Sequence, residues 1–308
     1  MHDVPASQRL SYLHDFVATQ IGGLRFAPAD SATFGFELTT QSLDGDFVLG
    51  TTCYSAVTGS RDRRLLSDGR CNYVMSIHDT AYELETGGGS WTIRAGDIVI
   101  VDEGHPFTFK LPGTRSDILS LNRKRIERHA PEIAARPVHH IAAKSPETAL
   151  LAGYIALLNK HPVESDTRAI TDHIVHLVAR ILGGANRPEA SGRRAIGAAR
   201  MALVKADVER HLTDPALSID AVALRQAISP RYIQQLFARE GLTFSDHVRE
   251  RRLDLVMSRL RGQADLDETI SDIAFEAGFG DLSSFNRAFR KRFGASPKDV
   301  RAGALQSR

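Results

Sequence analysis

Polar side chains recur at matching positions of two short segments, and their types suit hydrogen bonding to nucleic-acid bases. Arginine makes paired hydrogen bonds to guanine, asparagine and glutamine do so to adenine, and serine reaches either bases or phosphates. The first segment is ISPRYIQQLFAREG and the second is GFGDLSSFNRAFRKRFG. The predicted base-reading residues are Arg231, Gln234 and Gln235 in the first segment and Ser283, Asn286 and Arg287 in the second.

A second group of polar side chains lies at the starts of the same segments or one turn further along. Side chains in such places contact phosphates more often than base edges. The predicted phosphate-contacting residues are Ser229, Ser284, Arg290 and Lys291. One polar face of this kind is usually only a solvated surface. Two such faces on matching units favour binding to DNA.

Both segments follow the plan helix, sharp turn, helix. Capping residues open the second helices, with Ser229 before Pro230 in one and Asp281 in the other. The apolar stripes that would anchor these helices are Ile233, Leu236 and Phe237 in one and Leu282, Phe285 and Phe289 in the other. This is the plan of a helix-turn-helix, whose second helix enters the major groove of DNA.

Length and charge indicate two parts with different partners. The chain has 308 residues, of which 42% are hydrophobic and 25% charged, as is typical of a globular protein of about two domains. Residues 187–308 carry 21 Lys and Arg against 16 Asp and Glu, whereas residues 1–186 carry 18 against 21. The basic part suits a polyanion, and the mildly acidic part does not.

Residues at about 30–125 show the alternation of β-strands. In CNYVMSIH, a period of two places Tyr73, Met75 and Ile77 on one face. The stretch GGGSWTIRAGDIVIVDEGHPFTFKLPG predicts three short strands separated by turns, and its DIVIVD run is apolar on both faces. Short strands at close spacing with Gly and Pro between them predict a sandwich or a small barrel.

Two amphipathic helices are predicted after the strands, at about 146–182, because apolar residues recur there at a helical period. They could cover the open end of the barrel, or they could pair with the same helices of a second subunit; the sequence favours neither. Their apolar faces are Leu150, Leu151, Tyr154, Leu157 and Leu158 in one and Ile170, Ile174, Leu177, Val178 and Ile181 in the other.

The stretch GGANRPEASGRR, residues 183–194, is predicted to be a linker because it holds Gly, Pro, Ser and Asn with little apolar character. It separates a first domain, residues 1–182, from a second, residues 195–308. About seven helices are predicted in the second domain, and a long one around Leu253–Leu260 joins the two helix-turn-helix units. At ~1.5 Å per residue that helix spans about 25 Å, so the two units could reach successive major-groove segments ~34 Å apart.

The second domain, from about Arg194 to Arg301, resembles the DNA-binding domain of the AraC/XylS family of bacterial transcription regulators. The segment ISDIAFEAGFGDLSSFNRAFRKRFGASPKDVR resembles the carboxy-terminal signature of that family, and ISPRYIQQLFAREGLTFSDHVRERRLDLV resembles its first unit and linking helix. Arg225 and Gln226 stand where the family commonly has small residues, which makes the first turn less secure. The resemblance implies sequence-specific DNA binding, most base contacts in the first unit, RNA polymerase as a partner, and activation rather than repression.

The first domain is more loosely similar to the cupin-like sensor domain of family members that respond to small organic molecules. GSWTIRAGDIVIVDEGHPFTF has the strand, GD turn, strand form of that barrel. The resemblance implies an α+β protein in which a cupin-like β-barrel with trailing helices precedes the all-α domain. It also implies effector binding inside the barrel and a homodimer formed through the helices at 146–182. Because pockets are mostly apolar with a few polar groups, the candidate effector contacts are Tyr73, Trp91, His105 and Phe107.

Metal catalysis would need several histidines and a carboxylate converging on one ion. His78 and His105 form no His-x-His pair, and His139 and His140 would point in opposite directions on an extended segment. We therefore predict no catalytic residue, metal or cofactor. Two alternatives stay open: a cupin-type metal enzyme with a DNA-binding tail, and a regulator whose barrel only dimerises.

We expect a cytoplasmic location without membrane contact, because of the amino-terminal sequence and the length of the apolar runs. No apolar run approaches the ~20 residues that cross a bilayer, and MHDVPASQRL lacks the pattern of a signal peptide. Cys53 and Cys71 are too few for a disulfide framework, and we interpret them as small buried hydrophobic residues.

Overall fold

Two units make up the chain, residues 1–199 and residues 200–308. The computed structural model describes residues 8–44, 47–161, 163, 166–183, 190–262 and 268–306. The division between the units falls inside a helix that spans Ala190–Arg210. Residues 184–189 of the predicted linker lie outside the described residues, and the predicted domain bounds stay a prediction.

Two antiparallel sheets form the first unit. One has the strand order β1-β4-β9-β6-β7 and the other β11-β8-β5-β10-β3-β2. The strands are β1 (Arg25–Pro28), β2 (Phe36–Leu43), β3 (Phe47–Tyr54), β4 (Val57–Arg61), β5 (Tyr73–His78), β6 (Tyr82–Thr86), β7 (Gly89–Ile93), β8 (Ile98–Asp102), β9 (Phe107–Leu111), β10 (Thr114–Leu121) and β11 (Val138–Ile141).

An apolar core lies between the two sheets and includes Phe26, Val57, Leu84 and Phe107 from one sheet and Val99, Val101 and Ile118 from the other. Strand β8 is buried along its whole length, as its run of apolar residues predicts. The three strands predicted between Gly87 and Gly113 are confirmed as β7, β8 and β9.

The predicted α+β fold is confirmed, but the barrel is open. Among the described residues no ladder joins the two sheets into a ring, and each sheet keeps two edge strands. The strands have four to eight residues each, and their alternation supplies one apolar inner face per sheet. Stacking the two faces buries them without closure, as in a sandwich.

Helices cover the outer face of the six-stranded sheet. The helices of this unit are α1 (Arg9–Gln20), α2 (Arg123–His129), α3 (Pro146–Lys160) and α4 (Thr167–Ile181). Helix α3 contacts β3 and β10, and α4 contacts β2. Gln41 Nε2 donates to the Leu158 carbonyl at 2.9 Å, and Asn159 Nδ2 donates to Asp117 Oδ1 at 2.7 Å. Intramolecular cover is thus confirmed, and dimerisation through these helices stays a prediction.

The second unit contains the helices that the period of its apolar residues predicts, namely α5 (Ala190–Arg210), α6 (Ile219–Arg225), α7 (Pro230–Arg239), α8 (Phe244–Arg261), α9 (Ile270–Glu276), α10 (Leu282–Phe293) and α11 (Pro297–Gln306). They form two apolar cores. The first includes Val208, Val222, Phe237 and Val248, and the second includes Leu253, Ile273, Phe285 and Phe289. Helix α8 contributes to both cores and joins the two helix-turn-helix units, α6–α7 and α9–α10.

The turns of the two helix-turn-helix units have the same backbone conformation. Ala227 has a φ of 51° and Gly278 a φ of 91°, so both lie in the left-handed region that glycine tolerates best. Alanine is strained there, because its Cβ approaches the following carbonyl oxygen at a cost of roughly 1–2 kcal/mol.

Hydrogen bonds in the two turns match as well. The Ile228 N–H donates to the Ala223 carbonyl at 3.0 Å, and the Phe279 N–H donates to the Ala274 carbonyl at 3.1 Å. This is the six-to-one bond of a Schellman motif, which ends a helix by satisfying its last carbonyls. The first turn, which the sequence left less secure, is therefore formed like the second.

Replacing Ala227 by glycine and Gly278 by alanine should change the free energy of unfolding in opposite directions. Ala227→Gly relieves strain but enlarges the unfolded ensemble, so we expect a gain of about 0.3–1 kcal/mol. Gly278→Ala should cost about 1–2 kcal/mol, because its Cβ would also lie 2.8 Å from the guanidinium of Arg252. Thermal unfolding of both variants measures the difference, and a loss of stability in Ala227→Gly would contradict the strain.

Candidate DNA-binding surface and effector cavity

Helices α7 and α10 each bury an apolar stripe and expose a polar one. The fully or largely buried side chains are Ile233, Leu236 and Phe237 in α7 and Phe285 and Phe289 in α10. The exposed side chains are Arg231, Gln234 and Gln235 in α7 and Ser283, Asn286 and Arg287 in α10. Within the described part of the chain, none of the six exposed side chains makes a hydrogen bond or an ion pair with protein.

The serines at the starts of these helices also take part in N-capping: Ser229 is the N-cap of α7, and Ser284 binds Asp281, the N-cap of α10. Ser229 Oγ accepts a hydrogen bond from the Tyr232 N–H at 3.2 Å, which leaves the hydroxyl proton available to a phosphate. Asp281 accepts from the Ser284 N–H at 2.7 Å. The Ser284 hydroxyl also binds this carboxylate and holds the pKa of Asp281 below its usual value. Ser284 is thus less free for a phosphate than Ser229.

The basic end of α10 divides into two groups. Arg290 and Lys291 are exposed, as a phosphate contact requires. Arg292 instead pairs with Asp254 at 3.0 Å and with Glu250, both on α8. Arg292 therefore holds α10 against α8.

Arg225, which departs from the family pattern, has a structural partner. Its Nε and Nη2 donate to Asp207 Oδ2 at 3.0 and 2.9 Å. Asp207 lies on α5 and is only 3% exposed. This charge-assisted pair ties α6 to α5; the sequence showed the departure but not the partner.

A cavity of about 100 Å³ opens between the sheets of the first unit. Its wall is mostly apolar, and its residues come from both sheets, from α1 and from the segment after it. Apolar and aromatic examples are Phe26, Leu84, Val101, Phe107, Phe109 and Leu111. An apolar cavity with a few polar groups is the usual form of a small-molecule site.

The polar groups of this cavity include one carboxyl and one imidazole. Glu103 is 1% exposed and its Oε2 has no hydrogen-bond partner in the described structure; burial raises its pKa to about 8. His78 is 8% exposed and its Nδ1 likewise lacks a partner. Burial lowers the pKa of His78 to about 4, so that its imidazole is neutral near pH 7.

Of the four sequence candidates for effector contact, Phe107 lines the cavity. Tyr73 is buried on the opposite face of β5, where its hydroxyl donates to Glu127 Oε1 at 2.7 Å. Trp91 packs at the edge of the inter-sheet core outside the cavity wall. His105 is exposed, with its Nδ1 3.3 Å from Asp102. Their roles in effector binding stay predictions.

Sequence reasoning missed Glu103 as a cavity residue. A usable signal was present, because a period of two continued from Val99 and Val101 reaches Glu103 on the same face. His78 was considered only as a metal ligand.

No group of three or more His, Cys, Asp and Glu side chains that could hold a metal occurs among the described residues. His140 Nε2 lies 2.7 Å from Asp97 Oδ2, and His139 Nε2 lies 2.8 Å from the Ile133 carbonyl.

The interpretation of the cysteines as small buried hydrophobic residues was wrong, since Cys53 and Cys71 are both exposed. None of the helices in the described segments is long and apolar enough to span a bilayer.

Two protein families match the chain. The helix-turn-helix domain family matches residues 222–303, and the AraC-binding-like domain family matches residues 13–183. The first match begins within α6 and contains α7 to α10, and the second begins within α1 and contains the sheets and helices α2 to α4.

Individual proteins are similar to this chain in sequence or in fold. The transcriptional activator RhrA of Rhizobium meliloti (strain 1021) is 37% identical over 166 residues, which are 52% of this chain and 51% of RhrA. The transcriptional activator NphR of Rhodococcus sp is 25% identical over 269 residues, 82% of this chain and 77% of NphR. The match thus spans about half the length of RhrA. In fold, the crystal structure of the AraC-like transcriptional activator CuxR is similar with a TM-score of 0.52 at 16% identity, covering 89% of this chain and 97% of that one.

Proposed function

The chain belongs to the AraC family of DNA-binding transcription regulators, and we propose that it activates transcription under the control of a small organic effector. The observation that carries the DNA-binding part is the pair of matching helix-turn-helix units, each of which holds one helix by buried residues and exposes polar side chains that make no hydrogen bond to the described residues. The exposed types are those that hydrogen-bond to base edges.

Each unit supplies three base-reading side chains in this proposal. Arg231, Gln234 and Gln235 occupy the positions in α7 that Ser283, Asn286 and Arg287 occupy in α10. Arg290, Lys291 and the hydroxyl of Ser229 would contact phosphates, with Ser284 in a lesser role. Phosphate contacts fix the register of the protein on the duplex, and the six base-reading residues then select the sequence.

Effector control is supported by the cavity in the first unit. A ligand that binds one arrangement of the protein more tightly than another shifts the population toward that arrangement, which would change occupancy of the promoter. Activation is supported by the names of RhrA and NphR, both of which are transcriptional activators.

Further parts of the proposal follow from regulation of transcription. We infer that the protein works in the cytoplasm, contacts RNA polymerase and has no enzymatic activity. A homodimer would use the outward surfaces of α3 and α4, where Leu157, Ile170 and Ile181 stay partly exposed. In the alternative regulator, the first unit only dimerises. Its affinity for DNA would be the same in the presence and absence of any small molecule.

Two arginine variants test the assignment of base-reading and phosphate-contacting residues. With a target sequence selected from random duplexes, Arg231→Ala should cost about 1–3 kcal/mol and lose selectivity at one base position. Arg290→Ala should weaken all sequences alike and reduce the dependence of log K on log salt by about one. Fluorescence anisotropy of labelled duplexes at several salt concentrations measures both effects.

The same two arginine variants also give the results that would contradict these assignments. Equal loss on all duplexes for Arg231→Ala would make Arg231 a phosphate contact. If wild-type binding did not change with salt, the proposal that this surface binds DNA would fail.

A further inference from the structure

Glu103 is a buried acidic side chain of the cavity with a carboxylate oxygen that the described structure leaves without a hydrogen bond. It follows β8, lines the cavity between the sheets and is 1% exposed. Its Oε2 has no hydrogen-bond partner in the described structure, and its Oε1 occupies the space that a Cβ at Gly22 would need. A buried polar atom without a partner is destabilising because it has lost its hydrogen bonds to water, so a ligand that donates to this oxygen would be stabilised.

The nearest cation is already occupied by other acceptors. Arg61 Nε donates to the Glu103 backbone carbonyl at 2.7 Å, not to its carboxyl group. The two terminal nitrogens donate to Asp68 at 2.9 and 2.8 Å, to the Gly23 carbonyl at 2.7 Å and to the Arg70 carbonyl at 3.1 Å. A guanidinium has five N–H donors, and all five are used.

The two ion pairs nearest Glu103 form without it, and Arg70, which also acts on its charge, is only half-buried. Arg61 pairs with Asp68, and the next acidic residue, Asp102, pairs with Arg123. Neither cation of these two pairs is left to offset an ionised Glu103. A cationic ligand would supply the missing charge, which a neutral ligand cannot do.

The remaining wall sets the size and polarity of such a ligand. Phe107, Phe109 and Leu111 from β9 face the cavity together with Leu84 and Val101. Aromatic faces attract cations as well as apolar groups. At about 100 Å³ the cavity is smaller than an engineered one of ~150 Å³ that holds benzene, so the apolar part must be compact.

We propose that the effector is a compact primary amine whose ammonium group binds the carboxylate of Glu103 and whose apolar part fills the cavity. This inference rests on the proposed effector control of the first unit. Glu103 is then the residue that selects amines over alcohols and acids of the same shape. Once Glu103 is ionised, carboxylates are disfavoured because two like charges would meet in a buried site.

Binding of an ammonium group requires Glu103 to lose its proton. The charged groups that act on Glu103 are Arg61 on β4, Asp68 and Arg70 in the following segment, and Asp102 on β8. Burial raises the pKa of Glu103 to about 8; Arg61 and Arg70 act to lower it, and Asp68 and Asp102 act to raise it. Below that pH one proton leaves for each amine bound, so affinity should rise roughly tenfold per pH unit from pH 6 to pH 7.5.

Isothermal titration of the full chain with three matched probes tests the proposal: 3-methylbutylamine, 3-methylbutanol and 3-methylbutanoate. We expect the amine to bind at least tenfold more tightly than the other two at pH 7.5. Glu103→Gln keeps the shape but not the charge, so it should lose that preference and the pH dependence while binding the alcohol as before. Unchanged unfolding of the variant, followed by the fluorescence of Trp91, shows that its fold is intact.

Two results would overturn the proposal. Equal affinity for amine and alcohol, unchanged in Glu103→Gln, would keep the cavity as a binding site but remove Glu103 as its selector. Absence of binding of all three probes at millimolar concentration would reject the compact-amine effector. Neither result affects the proposed DNA binding, which the arginine variants test without any ligand.

Discussion

Phe285→Ala is expected to destabilise the second helix-turn-helix unit by about 3–5 kcal/mol, the usual cost of truncating a core aromatic residue to alanine. Phe285 is 0% exposed. Its ring lies 5.0 Å from that of Phe279 and 5.6 Å from that of Phe289, centroid to centroid. The core of this unit is small, so neighbouring side chains have little scope to fill the void.

Hydrogen exchange measured by mass spectrometry on the full chain locates the effect. Peptides covering α9 and α10 should exchange roughly two to three orders of magnitude faster in Phe285→Ala, because exchange follows the free energy of local opening. Peptides from the sheets of the first unit should not change.

Phe275→Ala is the matched control, since Phe275 lies in α9 of the same unit but is 48% exposed. We expect that variant to change stability by less than about 0.5 kcal/mol. Equal protection of α10 in wild type and Phe285→Ala would disprove the anchoring role of this phenylalanine.

Arg61→Ala should destabilise the first unit by about 3–5 kcal/mol, as expected when one partner of a buried ion pair is removed. The side chain of Arg61 is 0% exposed, and its Nη2 lies 2.8 Å from Asp68 Oδ1. Its bonds to the carbonyls of Gly23 and Glu103 tie the segment after α1 to the end of β8. Removing the guanidinium leaves these acceptors buried and unpaired.

The fluorescence of Trp91, the one tryptophan of the chain, follows unfolding of the first unit in denaturant. The midpoint should fall in Arg61→Ala and should stay within error in Arg63→Ala, because Arg63 is exposed two residues away. Arg61→Lys should recover only part of the loss, since an ammonium cannot reproduce the five-donor fork. Wild-type stability in Arg61→Ala would show that this network contributes nothing.

Much of the second unit could be predicted from sequence because its contacts are local. Caps such as Ser229 and Asp281 lie within a few residues of the helices that they start, and the period of Phe285 and Phe289 fixes which face turns inward. The first turn was less secure from sequence because of Arg225 and Gln226, and Ala227 after them gives no signal for a left-handed conformation. The surrounding helices impose that conformation and offset its strain.

The cavity could not be placed from sequence, because both faces of β5 carry apolar residues. Alternation separates Tyr73 and Met75 from Val74, Ser76 and His78 but does not say which set faces the second sheet. Helix α2 lies on the face of Tyr73, which is the more apolar one, and Ser76 and His78 on the other face line the cavity. This choice depends on distant segments that pack only in the folded chain.

Arg252 has a consequence for the promoters that this protein can occupy. From α8 it donates to the carbonyls of Leu212 and Asp214 at 2.9 and 2.8 Å, while its guanidinium lies against Gly278 in the second turn. One side chain thus ties the segment between α5 and α6, which leads into the first helix-turn-helix unit, to the turn of the second. A rigid pair demands half-sites in fixed helical phase, and a single inserted base pair would rotate one of them by about 34° away from its helix.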